Sequence, residues 1–530
     1  MFHTFSYDTK THAMLLSAKV WSDFGSHIAF IRSFSEGRNW PPQHPLFPNE
    51  PIRYHFLFYF LVGMLEIAGI RIDWALNIPS ALGFFLLLAG IYLVAQKVFK
   101  NQRIALLSVL FFLFNGSLSF LQFFQKQPLS PHTLMDILHT KEFSAFAPWG
   151  KGDISAFWNL NIYTNQRHLA LAFGIALLFI YAILDIENKS WKKQLLWFYP
   201  KNFLIFRAVF FGVLFGIFPF FHQPTLAIIA VLMGIYFLFF PKLRLFLALS
   251  GTITSLLVLP QLLGFSHGPK LIAWYPGYLT HNNFTLGHFV SFWWQNLGLH
   301  SILIPLGFFL VPKRTKKLFF PIFVLFIIAN LFKFSPEVAA NHKFFNFALI
   351  LGNMLSAYAV FVIIRRFHFI CRICLFVGFV GFLTLSGIID FMVIFNDAKG
   401  PLSDIPANKT ATWIAQNTPK DAIVLNSSFL YHPASIAGRK IFLGWPYFAW
   451  SEGYDTDKRL KNMKTIYENT DLTTMCTMLK AHHISYITFQ TKNAAEEISF
   501  HEEVFKKNFT RVFSNDSEGF SIYSTKSVCQ

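Results

Sequence analysis

The stretch VPKRTKKLFFPIFVLFIIANLFKF, Val311 to Phe334, packs four cations against an apolar run long enough to cross a bilayer. Lys313, Arg314, Lys316 and Lys317 are costly in hydrocarbon and mark a loop; Leu318 to Phe334 marks the span that leaves it. The same alternation extends in both directions. Spans are expected near Leu76 to Val98, Ile104 to Phe124, His168 to Ile186, Leu204 to Phe221 and Pro224 to Phe240. Further spans run from Leu243 to Leu263, Phe289 to Val311, Phe345 to Ile364 and Leu375 to Phe395, making about ten in all. The other basic groups are Lys97, Lys100 and Arg103; Lys192 and Lys193; Lys242 and Arg244; and Arg365, Arg366 and Arg372. Every second loop is therefore basic, as the positive-inside rule requires.

Composition agrees. Of 530 residues, 54% are hydrophobic and 14% charged, with 68 Phe, a balance that suits lipid-facing helices and excludes a soluble protein. The net charge of +18 resides in short interhelical stretches rather than on a basic face with a recognition motif, so nucleic acid is not an expected partner. Four Cys are too few for a disulfide framework. Cys371 and Cys374, beside Arg372, read as two ordinary residues of a helix end, and the pairing of Cys476 with Cys529 is left open.

The apolar stretch Tyr54 to Ile70 is expected to lie in the interface rather than to span. Arg53, Tyr54 and His55 open it and Glu66 interrupts it. Residues 1–75 then form an outer first loop with interfacial helices, 76–396 a transmembrane helical domain, and 397–530 a soluble extracytoplasmic domain. The last is a small α/β domain. Strands are expected at Ala422 to Leu425, Ile441 to Leu443, Ile484 to Phe489 and Phe520 to Tyr523, and helices at Asp457 to Glu468 and Leu472 to His482. There is no internal repeat, and Met1 to Val20 lacks the apolar core of a signal peptide.

Polar residues gather in three outward regions. In WSDFGSHIAFIRSFSEG, from Trp21, Asp23 and His27 are spaced to share one helix face, where they could activate a hydroxyl or bind a metal. The alternative is that Asp23 caps a helix running from Phe24 to Phe34. In WNLNIYTNQRHLAL, from Trp158, Arg167 and His168 stand at the mouth of a span, with Arg167 suited to phosphate or carboxylate, or simply snorkelling to the interface. FHQPT, from Phe221, presents His222 and Gln223 at the same surface. In SPEVAANHKFFNFALI, from Ser335, Lys343 is an exceptional outward cation among Glu337, Asn341, His342 and Asn346. It can hold an anion near the bilayer or serve as an interfacial anchor.

Walker A, GxGxxG, HExxH and GxSxG signatures are all missing. Outside the cytoplasm, where nucleotide sugars and ATP are lacking, a group donor must arrive attached to a lipid.

This pattern resembles the GT-C glycosyltransferase superfamily of membrane enzymes, which includes protein O-mannosyltransferases, aminoarabinose transferases of lipid A and oligosaccharyltransferases. The shared features are an acidic first outer loop, a Pro-rich continuation and juxtamembrane helices, as in Asp23, Trp40-Pro41-Pro42, His44-Pro45 and Tyr54-His55, then many spans and a soluble outer domain. SDFGSHIAFIRSFSEG from Ser22, YHFLFYF from Tyr54, YTNQRHLAL from Tyr163, WIAQNTPKDAIVL from Trp413 and AGRKIFLGWPYFAWSEGYDTDKR from Ala437 are similar to a group of bacterial membrane proteins of that type. The resemblance implies a GT-C-like α-helical polytopic protein of the bacterial inner (plasma) membrane. It implies transfer of a sugar from a polyprenyl-phosphate donor to a glycan, lipid or protein acceptor of the cell envelope.

Carried over residue by residue, the resemblance makes Asp23 the general base, or a ligand in the metal-dependent branch, so a divalent metal stays open and no other cofactor is implied. Arg167, His222 and Lys343 would bind the donor phosphate, and His27 and His55 would be acceptor-binding or supporting residues. Asp8 is a further acidic residue in the same loop. The superfamily begins with a spanning helix before the acidic loop; this chain begins at the loop, so an upstream helix or a shortened relative is expected. The Gly444-Trp445-Pro446 and Gly453-Tyr454-Asp455 region suits sugar stacking or a packed turn. The competing functional class is a transporter or flippase for a lipid-linked or anionic solute, although paired repeats and broken helices are not evident in the sequence.

Overall fold

The computed structural model describes residues 1–142, 154–188, 201–265, 272–491, 501–526 and 528–529. Lys192 and Lys193, expected as one of the basic loops, lie outside the described residues, as do residues 143–153 of the second outward region. The chain folds into two compact units. One contains Met1, Ser80–Leu263 and Lys270–Asp397; the other contains Phe2–Pro79, Gly264–Pro269 and Ala398–Gln530.

The first unit is helical. Six helices among the described residues are long and apolar enough to cross a membrane: Ile72–Phe99, Arg167–Glu187, Leu204–Phe221, Pro241–Leu263, Val338–Ile364 and Phe369–Phe395. Three more in this unit are apolar and shorter, Gln102–Leu113, Gln223–Phe239 and His300–Leu310, and a fourth, Leu57–Ile67, belongs to the second unit. The helix His342–Ile364 is the hub, packing against Gln102–Leu113, Gln223–Phe239, His300–Leu310 and Pro321–Leu331. Its centre is buried nearly all round, as an axial helix that is apolar on every face should be.

Two expected spans are interrupted, so broken helices are present after all. The stretch Ile104 to Phe124 divides between Gln102–Leu113 and Ser119–Lys126, and Phe289 to Val311 divides between Leu286–Leu297 and His300–Leu310. Gly298 breaks the second with φ +51°, a backbone state that glycine adopts without a Cβ clash. The groups freed by these breaks are paired internally, as a lipid-embedded chain requires. Ser117 N donates to Ser386 Oγ at 2.6 Å, Leu118 N to the Gln295 carbonyl at 2.9 Å, and Asn159 Nδ2 to the Leu113 carbonyl at 2.7 Å.

In the second unit the two ends of the chain fold together. Strands β1 (Phe5–Asp8) and β2 (Ala13–Ser17) form a hairpin, and β2 pairs antiparallel with β5 (Lys399–Ser403), with Ala13 opposite Ser403. In the helical unit, β3 (Ala273–Trp274) and β4 (Phe332–Lys333) make a short ladder. The larger sheet has the order β7 (Lys440–Ile441), β6 (Ile423–Leu425), β8 (Ile484–Gln490), β10 (Phe520–Ser524), β9 (Thr510–Asn515). β6 runs parallel to β7 and β8, while β10 is antiparallel to β8 and β9.

Alternation along these strands serves two cores. Ile423, Leu425, Phe442 and Ile487 face Met463, Ile466 and Tyr467 of Thr456–Glu468 and Met475 and Leu479 of Leu472–Ala481. Val424, Ile441, Tyr486 and Ile522 face Ala411 and Ile414 of Lys409–Asn417 and Ala29 of the first long helix, α1 (Trp21–Ser35). Both faces of the sheet are thus covered by helices, which accounts for its nearly uninterrupted apolar strands. Cys476 and Cys529 are joined in a disulfide with Cα atoms 5.0 Å apart. Cys371 and Cys374 lie exposed in the first turns of Phe369–Phe395.

Candidate functional site

Within the second unit, Asp23 is the third residue of α1, and Val20 occupies the cap position. The capping alternative therefore does not hold; the carboxylate lies in the first turn, where the helix amides favour negative charge. His27 follows one turn later, buried, with its ring 5.2 Å from Phe24 and 5.0 Å from Tyr59 of α2 (Leu57–Ile67). His55 is buried with its ring 3.8 Å from that of Tyr54. Tyr54 and Tyr59 are hydrogen-bonded to each other, so this phenol pair connects the surroundings of the two histidines.

The same unit brings in residues that sequence reasoning missed. Burial first, then the charges of Glu452 and Asp23, push the Tyr54 phenol far above its ordinary pKa. Burial and then Asp23 do the same to Tyr431, whose hydroxyl donates to the Trp21 carbonyl at the start of α1. Tyr431 and Glu452 come from the far end of the chain, and neither stands in a spacing that could have announced it. Asp8 sits elsewhere, at the end of β1, accepting from Lys10 N at 2.9 Å and Thr11 Oγ1 at 2.8 Å in the turn that follows.

Within the first unit, three helix N-termini carry the remaining expected residues. Arg167 opens Arg167–Asn188 and is buried, donating from Nε to the Thr164 carbonyl at 3.1 Å and from Nη2 to the Met1 carbonyl at 3.0 Å. His222 caps Gln223–Phe239, its Nδ1 accepting from Thr225 N at 3.2 Å and lying 2.7 Å from Thr225 Oγ1. The neutral ring then carries its proton on Nε2. Lys343 is the second residue of His342–Ile364.

These termini gather around two further histidines. The rings of His168 and His222 are 5.3 Å apart. Burial, then His168, Lys343 and His342, hold the His222 pKa well below its ordinary value. His222 is therefore a neutral donor, beside the basic side chains of Arg167 and Lys343. His168 and His342 were visible in the sequence as neighbours of Arg167 and Lys343, but nothing in spacing said that His168 would meet His222.

Backbone amides at the starts of three long helices, with the Arg167 guanidinium, the Lys343 amine and the neutral His222 imidazole, make a donor-rich site suited to an anion. The chain is an integral membrane protein, mostly helical, with a small sheet-containing C-terminal region. No protein-family model and no curated protein matches the sequence. Among solved structures it is similar to the Archaeoglobus fulgidus oligosaccharyltransferase tethered with an acceptor peptide containing the NVT sequon, at 14% identity and a TM-score of 0.50, over 89% of this chain and 64% of that one. The chain thus spans a little under two thirds of that relative's length. ArnT from Cupriavidus metallidurans aligns in its apo state at 9% identity and a TM-score of 0.49, over 94% of this chain and 92% of that one.

Proposed function

We propose that this protein is a glycosyltransferase that moves a sugar from a polyprenyl-phosphate donor to a cell-envelope acceptor on the outer face of the bacterial inner membrane. The observation that carries the reading is the convergence of helix N-termini bearing Arg167, His222 and Lys343. The likeness in fold to an oligosaccharyltransferase solved with a tethered acceptor peptide supports a transferase reading. In the proposed reaction Asp23 accepts the proton of an acceptor hydroxyl, whose oxygen attacks the anomeric carbon with inversion. The bond from that carbon to the phosphate oxygen breaks, and both electrons leave with the phosphate. Arg167, Lys343 and the helix amides stabilise the charge that builds there. His27 and His55 serve acceptor binding around the Tyr54–Tyr59 pair.

The test is Asp23→Asn in the purified full chain. Transfer from a polyprenyl-phosphate sugar should fall by about 10³-fold or more while the melting temperature is unchanged; retained transfer would remove the base role. A transport reading has the interrupted helices at Asn115–Leu118 and Gly298 in its favour. Solute flux in proteoliposomes without any glycosylated product would establish it instead.

A further inference from the structure

His342 and its neighbours form a closed chain of hydrogen bonds. Asn346 Nδ2 donates to the carbonyls of Phe157 at 2.5 Å and Trp158 at 2.8 Å, which leaves Asn346 Oδ1 as an acceptor. His342 Nδ1 lies 2.6 Å from that oxygen and donates to it. The neutral ring then has its lone pair on Nε2, which accepts from Asn161 Nδ2 at 3.3 Å. Asn161 lies in the short helix Leu160–Tyr163, and the next carbonyl, that of Thr164, receives Arg167 Nε at 3.1 Å. All three side chains of the chain, Asn161, His342 and Asn346, are buried.

A buried polar chain of this kind is tolerated only when its members are paired, and once paired it fixes one geometry where apolar contacts would slide. This one ties the loop leading to Arg167 to the helix that begins with His342 and Lys343. We infer that His342 is a positioning residue: through Asn161 and Asn346 it fixes the placement of Lys343 against Arg167, so that both cations address one lipid-linked phosphate. This rests on reading the basic cluster as a phosphate site.

The test is a double-mutant cycle on the full chain in detergent, with a polyprenyl monophosphate as the probe and the melting temperature recorded for every variant. Lys343→Ala should weaken binding by about tenfold or more, and His342→Ala by about tenfold. The double variant should bind no more weakly than Lys343→Ala alone, because the histidine acts through the lysine. His342→Gln, whose amide can donate to Asn346 and accept from Asn161, should restore affinity to within about threefold of the wild type. Additive losses, or wild-type affinity in His342→Ala, would overturn the inference while leaving the phosphate site intact. Failure of the wild type to bind the probe would overturn the proposed function, and this inference with it. Asn161→Ala, which cuts the loop end of the chain, carries the same cycle if His342→Ala does not fold.

Discussion

Arg32 shows how single side chains hold the second unit together. Its Nη2 donates to Asp404 Oδ1 at 2.8 Å and Oδ2 at 2.9 Å, and Nη1 lies 3.3 Å from both Glu36 and Glu66. A guanidinium buried this deeply is stable only because its partners travel with it, and removing it strands Asp404 and Glu66. Arg32→Met should destabilise the unit by about 3–5 kcal/mol in chemical denaturation. Arg32→Met with Asp404→Leu should cost less than the sum of the single changes. His432 sets a pH dependence in the same unit. It caps Pro433–Ile436 through Nδ1, which accepts from Ala434 N at 3.1 Å, and burial lowers its pKa from 6.5 to about 3. Between those values the unfolded chain binds a proton that the folded chain refuses. The stabilisation is therefore complete above pH 6.5 and is lost as pH falls towards about 3, at up to about 1.4 kcal/mol per unit. His432→Asn should flatten the acid limb of a melting-temperature profile; an unchanged limb would assign it to other groups.

At the scale of elements, the legible part was what composition alone dictates. Apolar runs bounded by cations located the helices, and the short β-prone runs Ala422 to Leu425 and Ile484 to Phe489 located the central strands. The helix breaks were hidden because Gly116 and Gly298 sit in runs whose average apolarity still suits a span. The β1–β2–β5 sheet was hidden because it pairs residues from opposite ends of the chain, which no local period records. The candidate site divided in the same way. Asp23, Arg167 and Lys343 stand out in the sequence as candidates because their charges are out of place, whereas Tyr431 and Glu452 of the second unit come to act on the same phenols as Asp23, or on its helix, only through folding. The breaks impose a tight packing that can be tested. A Cβ on Gly387 would collide with the Phe114 backbone, and one on Gly116 with the Leu383 backbone, so the two segments meet with no room for side chains. Gly387→Val should cost about 1–3 kcal/mol by overpacking and lower the detergent melting temperature. Val at Gly378, on the same helix and with open space around it, should not.

For the whole molecule, two independent kinds of chemistry bear on the proposed orientation. Arg365, Arg366 and Arg372 form one of the basic loops that the positive-inside rule assigns to the cytoplasm, and Cys371 and Cys374 belong to that segment. The Cys476–Cys529 disulfide lies in the second unit, and a lasting disulfide belongs to an oxidising compartment outside the cytoplasm. The native cysteines are therefore reporters that need no engineering, since both free thiols are exposed and the other two are bonded. A membrane-impermeant maleimide applied to intact spheroplasts should leave the protein unlabelled. Permeabilisation should expose Cys371 and Cys374, and reduction of intact spheroplasts should expose Cys476 and Cys529. Labelling of Cys371 or Cys374 before permeabilisation would reverse the orientation. It would also place the Asp23 helix in the cytoplasm, because that helix shares a core, through Ala29 and Val424, with the sheet of the unit that carries the disulfide. A lipid-linked donor would then lose its chemical necessity, because soluble nucleotide sugars are available on that side, and the proposed reaction would have to be sought among different donors.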